Sequence, residues 1–167
     1  METEHPTLTV MYFAAVDHYG HRGNWNSYVN ALRNADQIVE TFWNTIENDD
    51  FYKDKTTMIV TNDHGRHSDD NGGFKSHGDG CDGCRHIMFL AIGPQIKKNY
   101  VSNTYRRIPD VAITAASILD LEMEYATGDV ATELFTQTSL NQKAVSYNWH
   151  VSPDKITING LIKENIA

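Results

Sequence analysis

Nowhere in these 167 residues does an apolar run approach the ~18 residues that a membrane-spanning helix needs, so the sequence holds no candidate transmembrane helix. Its opening, METEHPTLTV, also lacks the charged-then-apolar order of a signal peptide. Positive charge is scarce: 14 Lys and Arg against 22 Asp and Glu give a formal net charge of −8. The only basic knots are Lys97-Lys98 and Arg106-Arg107. That excludes nonspecific nucleic-acid binding, because neutralising a phosphate backbone takes a clustered basic surface. Cysteine is scarcer still. Cys81 and Cys84 form a single C-x-x-C, too little for a four-cysteine zinc site or a disulfide framework. Internal repeats and low-complexity tracts are absent. What is present, 40% hydrophobic and 22% charged residues, is the composition of a soluble globular chain long enough for one domain with a core.

Residues 7–16, TLTVMYFAAV, are β-branched and aromatic-rich and predict a buried strand. The strand would deliver Asp17, His18, Tyr19, Gly20 and His21 at its carboxyl end. From Asn26 the period changes: Tyr28, Leu32, Ala35, Val39, Phe42 and Ile46 recur at steps of three and four, one face of an amphipathic helix that Asn24 or Asn26 can cap. A second strand, Thr56 to Thr61, delivers Asn62-Asp63-His64-Gly65. A glycine-rich loop runs to Arg85, and His86 to Ile92 is a third strand closed by Gly93-Pro94. Pro109 opens a helix with Val111, Ile113, Ala116 and Leu119 on its apolar face. Lys155 to Ile158 reads as an edge strand or as part of a tail packing on the domain. This grammar is that of an α/β domain, whose ligands gather at the carboxyl ends of strands.

The chemistry-bearing residues gather in a few places. Asp17 and His21, in VDHYGHRG, are a carboxylate and an imidazole that one turn can aim at a single ion; a polar strand-to-helix connection is an equally good account of them alone. Asp63-His64 suits any turn by itself. His77, between Ser76 and Gly78, reads alone as a solvated loop histidine. Jointly the three are specific, and oxygen with imidazole nitrogen suits zinc, then manganese, with calcium a poorer fit. His18 and His67 read as exposed or supporting side chains, and Asp69, Asp70, Asp79 and Asp82 as solvated carboxylates. Cys81 and Cys84 are open to a disulfide, a redox pair or half a zinc site with His77 and His86. Lys75 and Arg85 are candidates to meet an anionic substrate, or else to balance the neighbouring acids.

DHYGHRG, TNDHG and SHG resemble, respectively, the Asp-x-x-Gly-His motif, the Asp-His-Gly motif and the late metal histidine of the alkaline phosphatase superfamily. The nearest likeness is to its nucleotide pyrophosphatase/phosphodiesterase-like and phosphoglycerate mutase-like branches. RHIMFLAIGPQI and IPDVAITAASILDL resemble the strand, Gly-Pro turn and helix that follow there. The resemblance implies an α/β fold, a layered sheet flanked by helices and incomplete relative to the full superfamily fold, over residues 1–136. Residues 137–167 would be an extension packing on that core. It implies two divalent metal ions, zinc or manganese, one held by Asp17, His21 and His77 and the other by Asp63 and His64. Superfamily members carry a further metal-binding Asp and a Ser or Thr nucleophile upstream of the segment matching Asp17. Thr3, Thr7 and Thr9 lack a preceding strand and turn to place them, so none is assigned that role.

The expectation is therefore the carboxyl-terminal part of a longer phosphate-ester enzyme, with phosphodiesters or nucleotide pyrophosphates preferred. A sulfatase-like ester hydrolase is the alternative within the superfamily, though Asp-x-x-x-His argues against that branch. A noncatalytic metal-binding or structural fragment is the alternative outside it. Strands stripped of partners predict self-association, or pairing with an upstream segment.

Overall fold

The computed structural model describes residues 5–136 and the backbone of 148–152 and 155–159. These belong to two compact units, one made of the chain up to Thr56 with Thr61–Met88, the other of Thr57–Val60 with the chain from Phe89 onward. Helix and strand together make this an α/β protein. Among the described residues, no helix is long and apolar enough to cross a membrane.

The first unit is built on two helices, α1 (Ala15–His21) and α2 (Trp25–Glu47), which pack on each other. The periodicity read from the sequence produces α2, and Asn24 caps it by accepting the Ser27 N–H at 3.0 Å. Ala31 and Ile46 are its buried residues, whereas Leu32, assigned to the apolar face, is 45% exposed.

The expected strand over 7–16 is not formed. Residues 5–13 belong to no helix or strand, Val10 and Tyr12 are exposed at 84% and 80%, and helix begins at Ala15. Asp17 and His21 therefore sit four apart on a helix, one above the other on a single face, instead of following a strand. An apolar segment becomes a strand only when another strand satisfies its backbone groups, and none of the described residues does so here.

The loop after Thr61 completes this unit. It contains two single 3-10 turns, Asp69–Asn71 and Gly73–Lys75, and one short helical turn, α3 (Asp82–Arg85). Phe74 anchors it, with its ring centroid 4.9 Å from Trp25 and 5.6 Å from Tyr28, both on α2. Asn62 stitches the two ends: its amide donates to the His64 carbonyl at 2.8 Å and its oxygen accepts the Met88 N–H at 2.7 Å.

In the second unit, β1 (Met58–Thr61) pairs with β2 (Phe89–Ile92). Both lie inside the strands read from the sequence and are shorter than them. Helix α4 (Ile108–Ile118) starts with Pro109 in its first turn, as Pro109 predicts. Its most buried face is partly polar: Asp110 is 2% exposed and Thr114 fully buried. Thr114 accepts the Ala131 N–H at 3.0 Å, and Asp110 accepts N–H groups from Arg107 and Asp129, each at 3.0 Å. Burial alone would push the Asp110 carboxyl up, but these backbone donors and the Arg107 and Arg106 guanidiniums outweigh it and hold it below the usual carboxylate range. The Arg106 guanidinium also pairs with the Glu133 carboxylate. A hairpin of β3 (Asn148–Ser152) and β4 (Lys155–Asn159) pairs antiparallel, with Val151 opposite Ile156, so the Lys155 segment is a strand. The rest of the expected 137–167 extension lies outside the described residues.

Candidate metal centre

One atom organises the site. Asp17 Oδ1 has His21 Nε2 at 3.5 Å, His64 Nε2 at 3.7 Å and His77 Nε2 at 3.6 Å. These ligand-type atoms come from three stretches: α1, the exit of β1, and the loop beyond Lys75. The Nε2 atoms of His21 and His77 approach to 3.1 Å, and the rings of His64 and His77 stack with centroids 3.7 Å apart. Asp63 stands on the outer side, 77% exposed, with its carboxylate 3.7 Å from His64 Nε2 and accepting the His64 N–H. All five residues read from the sequence thus share one neighbourhood. His64 faces Asp17 and His77, not Asp63 alone.

The backbone explains how adjacent Asp63 and His64 can serve one place. In a regular strand their side chains would point to opposite faces. Beyond Thr61 the chain leaves the strand and runs against α3, with the Gly65 N–H donating to the Cys84 carbonyl at 2.8 Å. Gly65 and Gly83 permit this crossing, since a Cβ on Gly65 would strike the Gly83 and His86 carbonyls and one on Gly83 the Arg66 carbonyl. The glycine of the Asp-His-Gly motif is therefore required by close backbone approach.

The donors are prepared for a cation. His64 Nδ1 lies 2.9 Å from the Gly65 carbonyl, an acceptor only, so Nδ1 carries the proton and Nε2 presents its lone pair toward Asp17. Burial, with the Arg66 guanidinium close by, lowers the affinity of His77 for a proton, against an opposing pull from Asp17. A neutral imidazole is the form that binds metal. Imidazole nitrogens facing carboxylate oxygens are the donor types that a divalent cation such as zinc or manganese takes. Asp17, His64 and His77 each offer a ligand atom within 4.8 Å of the others.

Arg66 was not singled out from the sequence, yet its Nη2 donates to Asp17 Oδ1 at 2.6 Å and to the Asp17 carbonyl at 3.0 Å. Its side chain is 11% exposed, and its Nη1 is buried without a hydrogen-bond partner among the described residues. Gly20 makes room for it: a Cβ there would lie 2.5 Å from Nη2. The glycine in Asp-x-x-Gly-His was a usable signal that something packs on that face of α1. Of the two substrate candidates, Lys75 lays its stem along Gly23 and is exposed, while the Arg85 guanidinium donates to the exposed Asp82 at 2.9 Å. Cys81 and Cys84 are free thiols. His67 and Asp79, read as supporting or solvated side chains, gather beside those thiols instead.

The family model described as the metalloenzyme superfamily matches residues 1–123, which include α1, the whole 61–86 loop and α4. Among curated proteins, the chain is 28% identical over 118 residues to a 2,3-bisphosphoglycerate-independent phosphoglycerate mutase from Antithamnion sp.. The alignment covers 68% of this chain and 21% of that protein, so the chain spans about a fifth of its relative's length. No solved structure matches the chain significantly.

Proposed function

The chain belongs to the metalloenzyme superfamily, the alkaline-phosphatase-like group that its motifs resemble, and from that premise we propose that it carries the divalent-metal part of an enzyme transferring phosphoryl groups from phosphate esters. The observation behind this reading is the single oxygen of Asp17 faced by three imidazole Nε2 atoms at 3.5–3.7 Å. Asp17, His21 and His77 would hold one cation and Asp63 with His64 a second, with zinc or manganese suited to these donors. When bound, such cations neutralise charge on the nonbridging phosphate oxygens and lower the pKa of an attacking hydroxyl or water.

The chain's own residues prepare that chemistry. The Gly65 carbonyl fixes the His64 tautomer, and Arg66 holds the Asp17 carboxylate against α1. Lys75 is better placed than Arg85 to meet a phosphate oxygen, because Arg85 spends its guanidinium on Asp82. Because the chain spans about a fifth of its relative's length, further polypeptide is proposed to supply the nucleophile in a longer, layered enzyme. Exposed Leu8, Val10 and Tyr12 give that polypeptide an apolar edge to pair with. Without it the chain self-associates, and a clean monomer by sedimentation at micromolar concentration would contradict this.

The substrate class is a phosphate ester, with a phosphodiester or nucleotide pyrophosphate preferred. The relative is named for phosphoglycerate, which makes a monoester the competing choice. One observation favours a purely structural reading: Arg66 already supplies Asp17 with a positive partner. Equilibrium dialysis of inorganic phosphate separates the two. The phosphoryl-transfer reading expects phosphate to bind the zinc- or manganese-loaded chain, and not the metal-free chain or Asp17→Ala. Metal uptake without phosphate binding would sink it.

A further inference from the structure

A second cluster of ligand-type atoms lies in the same unit, in the part of the loop that the proposed phosphate chemistry does not use. His67 Nδ1 stands 3.4 Å from Cys81 Sγ, 3.2 Å from Cys84 Sγ and 3.3 Å from Asp79 Oδ1. Each of the four residues offers one ligand atom within 4.8 Å of the other three. We propose that His67, Asp79, Cys81 and Cys84 form a closed, four-coordinate zinc site, separate from the Asp17 cluster and structural in role.

Geometry argues for a metal over a mere hydrogen-bonded group. A tetrahedral zinc with Zn–S of about 2.3 Å and Zn–N or Zn–O of about 2.0–2.1 Å sets its ligands about 3.3–3.8 Å apart. The separations measured from the imidazole nitrogen lie at or near the lower edge of that range. The thiols are free, so nothing has to be broken to recruit them. Two thiolates among the donors select zinc over manganese, magnesium or calcium. Uptake then balances as one zinc bound and a proton released from each thiol.

The surroundings hold each ligand in place, as outer partners do at metal sites. The Cys84 N–H points at Cys81 Sγ, 3.3 Å away, across the α3 turn, and Asp79 Oδ1 accepts the Cys81 N–H at 3.0 Å. The Asn71 amide hydrogen-bonds the other Asp79 oxygen, leaving Oδ1 toward the cluster. Cys84 is 6% exposed and the His67 side chain 11%, so part of the site is dry. With four protein ligands there is no open position for substrate or water, which distinguishes a structural zinc from a catalytic one.

The location gives the zinc a purpose. His67 follows His64 by three residues, and its N–H donates to the carbonyl of Ser76, the residue before His77. The Cys84 carbonyl accepts from Gly65, the residue after His64. Clamping His67 to the C-x-x-C turn therefore fixes the two backbone points that present His64 and His77 to Asp17.

Cobalt(II) titration of the reduced, metal-free full chain tests this, because a thiolate-cobalt absorption band arises only where cysteine binds the metal. The expected result is a near-ultraviolet thiolate band with intense visible bands of tetrahedral cobalt. Both should persist in Asp17→Ala and disappear in Cys84→Ser. In the unmutated chain, zinc should slow alkylation of Cys81 about tenfold or more. A cobalt spectrum with no thiolate band, or Cys81 alkylation at the same rate with and without zinc, overturns the proposal. Failure of phosphate binding at Asp17 would leave this result unchanged, so the two readings fall separately.

Discussion

Two ligand clusters share the 61–86 loop and differ in nearly every physical respect. The Asp17 cluster draws on α1, the end of β1 and a distant loop residue, uses only carboxylates and imidazoles, and leaves side chains 27–77% exposed. The His67 cluster lies wholly between residues 67 and 84, includes both thiols, and buries Cys84. An exposed set of hard donors assembled over long sequence distance suits a site that must admit substrate. A local, sulfur-rich and partly dry set suits a site that only has to hold the chain. The second arrangement is built to make the first one rigid, and each prediction below tries to separate them.

The largest effect is expected at the residue between them. Gly65→Ala places a methyl group against the Gly83 and His86 carbonyls, which are backbone and cannot swing aside. It should destabilise the first unit by about 3 kcal/mol and disturb both clusters, as chemical denaturation and cobalt spectra would show. Stability near that of the unmutated chain would mean the crossing at Gly65 is looser than described. Next, Cys84→Ser should abolish the thiolate site and weaken metal binding at Asp17 by about 10–100-fold, through loss of positioning alone. An unchanged affinity at Asp17 would make the two clusters independent.

His77→Ala should weaken one cation at the Asp17 cluster by about 100-fold and leave the other largely intact, measurable by calorimetric titration. Simultaneous loss of both with the fold retained would contradict the assignment of His77 apart from Asp63 and His64. Arg66→Met keeps much of the side-chain bulk but removes the donor to Asp17, and should cost about tenfold in affinity there with no change in the thiolate band. The smallest effect is a control in the second unit. The Asp110 carboxyl titrates below its unfolded value, so its contribution to stability is present above pH ~4 and fades as pH falls through the depressed folded value. In Asp110→Asn the acid arm of the stability profile should flatten while both metal sites stay intact.

Legibility in the sequence followed the same division between local and distant. Helix α2 and strands β1 and β2 were readable because period and composition act over neighbouring residues. The segment over 7–16 was misread because β-branched and aromatic residues signal a strand only when partner strands exist. α1, with Ala14 as its N-cap and no side-chain cap, is a short helix supported by packing on α2. The five residues assigned to the Asp17 site were read from the motifs' family resemblance, and in the structure their side chains lie near one another. Arg66 was missed because only tertiary contact shows what Gly20 makes room for. His67 and Asp79 were read as bystanders, since a loop's spacing does not reveal which side chains turn back onto the C-x-x-C.

The most direct measurement is elemental metal analysis of the purified chain beside Asp17→Ala and Asp63→Ala, each loaded with zinc or manganese and then desalted. The account predicts that each substitution lowers bound metal, while a thiol-held fraction of zinc remains in both variants. Equal metal content in all three proteins, or none in any, would contradict it.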